Sequence, residues 1–274
     1  MGGLWGSFAN VCIYRLPQDK GVVAGRSYCP KCKKQISWYD NIPILSYLFI
    51  QGKCRKCKKK ISIQYPLVEL LSILSFVVVY FFYGITITTL LFIILALTFI
   101  IIFFVDLKHY IIPNSLTFPL MVLGFVKSFD PNLNEIFPNY INSLIGGVFG
   151  YGIIWSIIFL YKALRNKEGM GLGDAKLLAA IGFWFGWISI PFVIFSSSIV
   201  ALIAVLPSLI NKSKKFSSEI PFGPFIIIGC ILYIIFIEQY KNLKKWQYKA
   251  IRNRGVSTSF LTLIYFYNEL RNKV

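Results

Sequence analysis

The chain has 274 residues, of which 56% are hydrophobic and only 15% are charged, and its formal net charge is +18. A mean hydropathy of +0.65 with so few charges excludes an ordinary soluble domain and indicates a polytopic membrane protein. We therefore expect no nucleic-acid partner for the 29 basic residues, and we assign them to cytoplasmic loops, where they fix the topology.

The first apolar stretch, residues 3–14, is shorter than the roughly 20 residues that a span requires. We assign 1–17 to a short first transmembrane helix. Cys12 in this stretch and Cys230 near the other end of the chain both lie among apolar residues. We interpret both of these cysteines as core residues.

A polar, strongly basic insert follows at 18–65 and carries four of the six cysteines. They form the pairs Cys29-Pro-Lys-Cys32 and Cys54-Arg-Lys-Cys57, with 21 residues between the pairs. Two such pairs are typical of a zinc ribbon, in which four thiolates surround one tetrahedral ion and leave no open position for catalysis. Two disulfides or four free thiols are the alternatives. A basic loop in a reducing cytosol favours structural zinc.

Seven further apolar segments make up a transmembrane domain at 66–240, and a basic tail follows at 241–274. We predict spans at 65–83, 88–105, 115–126, 140–164, 176–187, 190–210 and 220–238. The fold class is therefore an all-α membrane protein with about eight transmembrane helices and a small cytoplasmic zinc-ribbon-like insert. An outside N-terminus places the insert and the basic loops at 162–176 and 211–219 on the cytoplasmic side.

Two aspartates stand at the ends of apolar runs. Asp106 follows the run 98–105, and Asp174 lies in the glycine-rich stretch 169–176. The alternating topology places both at the cytoplasmic end, at one depth. Carboxylates held close together in a low dielectric share one proton, which suggests an aspartyl protease. Proton-relay groups of a transporter and structural helix caps remain open as alternatives.

Two other polar residues lie at predicted membrane boundaries. Glu69 sits near the start of the second predicted span, where a structural role is at least as well supported as a functional one. His109, the single histidine, lies one helical turn after Asp106 and could tune that carboxylate. We favour an interfacial histidine with no such role.

Six stretches follow one another along the chain in a specific order. They are residues 6–17, the two CxxC pairs, residues 62–70, Asp106 with Ile112-Pro113-Asn114, Gly171-Leu-Gly173-Asp174-Ala-Lys176, and Pro221-Phe-Gly-Pro224. Each stretch is weakly specific alone, but all six in order are very specific. In this order they resemble the prepilin peptidase family, whose members are bifunctional type IV leader peptidases and N-methyltransferases and belong to the GxGD intramembrane aspartyl proteases.

The resemblance implies two reactions in the cytoplasmic membrane of a prokaryote. Asp106 and Asp174 would be catalytic, with Gly171, Gly173 and Lys176 as the supporting motif. They would cut the basic leader from prepilins and pseudopilins after a glycine. Methylation of the new N-terminus with S-adenosylmethionine would follow, and in the family the zinc insert accompanies it. A peptidase without methyl transfer, or a zinc-ribbon transporter with proton-relay aspartates, is the alternative; the sequence identifies no residues that bind the methyl donor.

Overall fold

Helices form nearly all of the regular structure in the computed structural model, which describes residues 1–22, 28–29, 31–37, 42–134, 136–165, 171–210 and 220–254. These residues contain no β-strand, only the isolated bridges Tyr28–Gln35 and Lys53–Lys60. The helices are α1 Gly2–Arg15, α2 Leu45–Phe49, α3 Gln64–Tyr83, α4 Ile87–His109, α5 Asn114–Val126, α6 Tyr140–Arg165, α7 Leu172–Phe185, α8 Ser189–Ile210 and α9 Gly223–Arg254.

The prediction of an all-helical membrane protein is confirmed, and each of the eight predicted spans coincides with a helix. Among the residues that the structure describes, four helices are long and apolar enough to cross a membrane: α3, α4, α6 and the part of α8 up to Leu206. The helices α1, α5 and α7 have only 14, 13 and 14 residues. The exact number of eight spans therefore stays a prediction.

Local sequence explains where several helices begin and end. Thr86 caps α4 by accepting a hydrogen bond from the backbone N–H of Thr89 at 3.3 Å. Gly84 and Gly186 follow α3 and α7 with φ of 61° and 80°, angles that favour glycine. The helix α9 does not end near Glu238 as predicted but continues to Arg254, because no proline or glycine interrupts the basic segment before Gly255.

The helices α1 and α3 pack side by side in opposite directions. A methyl group placed on Gly6 would lie 2.7 Å from the Cα atom of Glu69. One turn further along α1, the Asn10 side-chain amide donates to the Tyr65 carbonyl at 3.0 Å. Cys12 is buried in the apolar cluster that α1, α3 and α4 share, as the sequence predicts.

The helices α6 and α7 are also antiparallel and approach through glycines. Gly146 faces the carbonyl of Gly182, and a methyl group placed on Gly150 would lie 2.7 Å from the carbonyl oxygen of Leu178. Such small residues let backbones come close enough for extensive van der Waals contact in lipid. Gly146 and Gly150 therefore allow the close approach of α6 to α7. Gly152 of the same helix has no part in it, since it meets nothing within 4 Å.

A buried lysine lies at the end of α7 that is remote from Asp174. Lys127 is only 6% exposed, and its ammonium donates to the Trp184 carbonyl at 3.0 Å. The same ammonium lies 3.8 Å from the centre of the Phe137 ring. Trp184 in turn donates its indole N–H to the Leu120 carbonyl of α5 at 2.8 Å. These contacts fix the parallel packing of α5 on α7, and a positive charge suits a helix C-terminus.

Candidate active site and metal centre

Asp106 lies one turn before the end of α4 and is only 4% exposed. The helix ends there because Tyr110 adopts a left-handed conformation, with φ of 57°, and its N–H donates to the Asp106 carbonyl at 2.9 Å. The chain then turns through Ile112 and Pro113 into α5. The last turn of α4, which carries Asp106, is therefore fixed by its terminal hydrogen bond from Tyr110 and by the turn that leads into α5.

Asp174 occupies the third position of α7 and is 8% exposed. Gly171, in extended conformation, caps this helix, and the Asp174 N–H donates to its carbonyl at 3.2 Å. The Asp174 carboxyl lies within electrostatic range of Asp106. The structure thus brings together two buried carboxyls from helices whose aspartate-bearing ends meet at one end of the bundle.

A third element, the start of α9, closes around the pair. The backbone N–H of Gly223 donates to Asp106 Oδ2 at 3.0 Å. A methyl group placed on Gly223 would lie 2.7 Å from that oxygen and 3.1 Å from Ile112 Cδ1. Ile112 also limits the space at Gly173, whose added methyl would lie 3.0 Å from Ile112 Cβ. Three helix ends therefore converge on the aspartates, and two glycines make that convergence sterically possible.

Lys176 does not approach the carboxyls as an ion-pair partner. Its ammonium donates to Asn114 Oδ1 at 2.8 Å and lies 5.6 Å from the centre of the Phe118 ring. Both partners belong to α5, so the lysine ties the start of α7 to the start of α5. Asn114 belongs to the stretch at 112–114 that resembles the family, but no local pattern marks it as a site residue.

The structure favours the structural interpretations of Glu69 and His109. Glu69 Oε2 accepts the backbone N–H of Ile44 at 2.8 Å, and this bond ties the insert to α3. His109 is exposed at the end of α4, whereas Asp106 is buried.

Gly223 is the residue that sequence reasoning missed. A glycine between two prolines at the start of an apolar helix was the available signal, but its aspartate partner is 117 positions away.

The four cysteines of the insert meet at one point. Their sulfur atoms all lie within 4.8 Å of one another, and Cys29 Sγ and Cys57 Sγ are 4.0 Å apart. All four are free thiols, so the disulfide alternative does not describe this structure. Zn–S bonds of about 2.3 Å in a tetrahedron put sulfurs about 3.8 Å apart. The donor set therefore fits a metal ion.

The two CxxC pairs form the same turn twice. In the second turn, the N–H of Lys58 donates to the Cys54 carbonyl at 2.9 Å, and the Cys54 N–H donates to the Lys59 carbonyl at 3.0 Å. The first turn repeats both bonds with Lys33 and Lys34, at 2.8 and 2.9 Å around Cys29. Residues 33 and 58 both have φ of 54°. Two matching hairpins thus aim two thiols each at the shared centre.

Two of these thiols differ in pKa, because each has different backbone N–H groups and neighbouring thiols around it. The backbone N–H groups of Cys57 and Lys56 lower the pKa of Cys54 to about 6. The pKa of Cys57 moves the other way, to about 11, because desolvation and the three neighbouring thiols outweigh the Lys59 N–H that lowers it. Binding of a divalent cation would relieve the repulsion among the thiolates.

Two protein-family models match most of the chain in sequence. The description "Bacterial Peptidase A24 N-terminal domain" matches residues 1–83, which include the four-cysteine cluster. The description "Type IV leader peptidase family" matches residues 93–206, which include both aspartates. The search of solved structures found no match.

Curated relatives match nearly the full length of the chain. A "Prepilin leader peptidase/N-methyltransferase" of Neisseria gonorrhoeae is 35% identical over 92% of this chain and 94% of its own length. A protein of the same description from Aeromonas hydrophila is 37% identical over 82% of this chain and 84% of its own length. A third, from Pseudomonas aeruginosa, is 34% identical over 87% of this chain and 89% of its own length.

Proposed function

Since these matches show that the chain belongs to the type IV leader peptidase family, we propose that it is a prepilin leader peptidase and N-methyltransferase. It cleaves the leader peptide from type IV prepilins and pseudopilins with Asp106 and Asp174. It then methylates the new N-terminal amine with S-adenosylmethionine as the methyl donor. The location is the inner membrane of a prokaryote, with the active site and the insert at the cytoplasmic face.

One observation carries the peptidase proposal: two buried carboxyls from separate helices lie close enough for the charge of one to act on the other. Burying two acids in an apolar bundle is costly, and a carboxyl in the last turn of α4 stands at the negative end of that helix dipole, where it does not act as a structural cap. Paired carboxyls that cannot both ionise are the acid and base of aspartic proteases.

The hydrogen bond to Gly223 makes the two acids unequal. The N–H donor and the positive end of α9 favour negative charge on Asp106, so we assign Asp106 as the base and Asp174 as the protonated acid. Asp106 takes a proton from water as the water oxygen attacks the scissile carbonyl. Asp174 donates its proton to the carbonyl oxygen. When the tetrahedral intermediate collapses, the leaving amine receives a proton from the dyad.

Lys176 positions the catalytic groups and takes no direct part in the proton transfers of this mechanism. Its bond to Asn114 holds the start of α7 against α5, so the Asp174 backbone stays fixed relative to the turn that follows Asp106. Gly173 lets the start of α7 approach Ile112 without steric conflict, and Gly171, whose surroundings are open, leaves room for the substrate backbone. The supporting motif therefore sets the geometry of the acids, and the acids perform the chemistry.

Zinc is the metal that best suits the four-cysteine cluster. Cys29, Cys32, Cys54 and Cys57 would hold it in a closed tetrahedron, which supplies folding energy to the insert and no catalytic position. The exposed lysines and arginine around the two hairpins offset the double negative charge of a zinc ion bound by four thiolates.

Co-expression with a prepilin tests both reactions at once. Mass spectrometry of the pilin should show loss of the leader and a mass increase of one methyl group at the new N-terminus. Unprocessed prepilin beside a folded, membrane-inserted protein would refute the peptidase proposal. A mature but unmethylated N-terminus would restrict the activity to cleavage.

A further inference from the structure

We propose that residues 42–50, here called the interfacial arm, insert into the lipid interface beside α3 and seat the four-cysteine unit on the bilayer. The arm contains α2 and belongs by sequence to the polar insert. Its apolar side chains face outward: Ile42, Leu45, Leu48 and Phe49 are 41%, 55%, 64% and 82% exposed. In a water-surrounded loop, such a cluster of exposed apolar side chains would be unfavourable.

The arm is fixed to two membrane helices, and its contacts give its depth. The Ile44 N–H donates to Glu69 Oε2, and the space at Gly3 of α1 is limited by Pro43 at 3.0 Å and by Ile73 of α3 at 3.4 Å. Residues 69 and 73 lie five and nine positions after the start of α3. At 1.5 Å per residue, the arm is about 7–14 Å along α3 from its first residue.

This depth lies in the acyl-chain region on the side where α3 begins. The helix α3 has 20 residues and is about 30 Å long, which matches the thickness of the hydrocarbon core, so a point about 7–14 Å from its start lies in the half of the core nearer that end. The adjoining surface of α3 is itself apolar and exposed, with Leu70 at 45% and Leu74 at 49%. The exposed side chains of the arm therefore continue a surface that α3 already presents to lipid.

The charge of the segment that follows also favours a membrane surface. Six of the eight residues at 53–60 are basic, and all six are exposed; they are Lys53, Arg55, Lys56, Lys58, Lys59 and Lys60. Basic residues near a bilayer are attracted to anionic headgroups, by about 1 kcal/mol each. An apolar edge followed by a basic stretch is the arrangement of interfacial segments that bind anionic membranes. These observations favour lipid over a protein partner as the occupant.

Photo-crosslinking in the full-length protein tests the arm without removing any residue from the dyad or the cysteine cluster. The substitution Phe49→p-benzoylphenylalanine places the probe at the most exposed arm position. Gln35→p-benzoylphenylalanine is the matched control, because Gln35 is an exposed residue of the same unit but lies on a cysteine hairpin. Both proteins are reconstituted in phosphatidylcholine–phosphatidylglycerol vesicles containing a prepilin, illuminated and analysed by mass spectrometry.

We expect roughly tenfold more lipid adduct at position 49 than at position 35, since only the arm reaches the acyl chains. The same probe at Leu48 should repeat the result if the first variant folds poorly. Adducts mainly to the prepilin would overturn the proposal and make the arm a substrate-docking surface. Equal lipid labelling at 49 and 35 would also overturn it. The readout needs no enzymatic activity, so its failure is distinguishable from failure of the proposed function.

Discussion

Replacing Gly223 with alanine should disable the dyad while leaving the bundle folded. The added methyl would lie 2.7 Å from Asp106 Oδ2, about 0.7 Å closer than an ordinary contact of 3.4 Å. If the carboxyl retreats by that amount, the bond from the Gly223 N–H stretches from 3.0 Å to about 3.7 Å, beyond hydrogen-bonding range.

The size of the effect follows from that lost bond. A hydrogen bond to a charged group contributes about 1.5–3 kcal/mol. If the bond stabilises the ionised base in the transition state, its loss should slow cleavage by about 10-fold to 150-fold, at 1.36 kcal/mol per factor of ten. The effect should appear in kcat more than in KM, because the substrate need not touch Gly223 for the base to be misplaced.

The assay is cleavage of a purified prepilin in detergent, with initial rates followed by gel mobility over a range of substrate concentrations. The variant Gly152→Ala is the matched control: it adds the same methyl group to α6, where nothing lies within 4 Å. It should cleave at the unmodified rate. If Gly223→Ala also cleaved at that rate, with a normal thermal transition, the Gly223 bond would have no role in catalysis and our base assignment would lose its support.

Three further predictions concern the dyad, the metal and the helix packing. Asp106→Asn or Asp174→Asn should reduce cleavage to below roughly one-thousandth without preventing membrane insertion, and near-normal processing would remove that residue from the pair. Cys29→Ser with Cys32→Ser should release one zinc by elemental analysis and reduce methylation more than cleavage; equal losses would contradict this division. Gly182→Ala should destabilise the protein by about 1–3 kcal/mol, because the methyl overlaps the facing α6 backbone, and an unchanged Tm would refute the close packing.

The expected difference between methylation and cleavage has a structural reason. The zinc hairpins are held together by the four thiols and a few backbone bonds, so metal loss should unfold them. The helices that carry Asp106 and Asp174 satisfy their own backbone hydrogen bonds and should stay packed. If both rates fell equally, the insert would serve substrate capture or overall folding instead.

Composition and local pattern were sufficient to predict most of the helical segments. Apolar runs with capping residues such as Thr86 and breaking residues such as Gly186 determine most helix bounds, because these signals act over a few neighbouring positions. The CxxC spacing likewise predicted the four-thiol cluster, because each pair closes a turn within six residues. The basic tail at 241–274 was predicted as a separate segment, but α9 continues through its first residues to Arg254.

Only the tertiary structure decided which distant groups meet. The Gly223 N–H reaches Asp106 across 117 positions, Lys176 reaches Asn114 across 62, and Glu69 reaches Ile44 of the insert across 25. No local periodicity encodes these pairs, because each depends on the direction and closeness of packed helices. The helices approach so closely because glycines face each other across α6 and α7, and the space beside a glycine is known only when its neighbour is placed. The sequence by itself therefore singled out the two acids and the four thiols as candidates, and the packing determined what positions them.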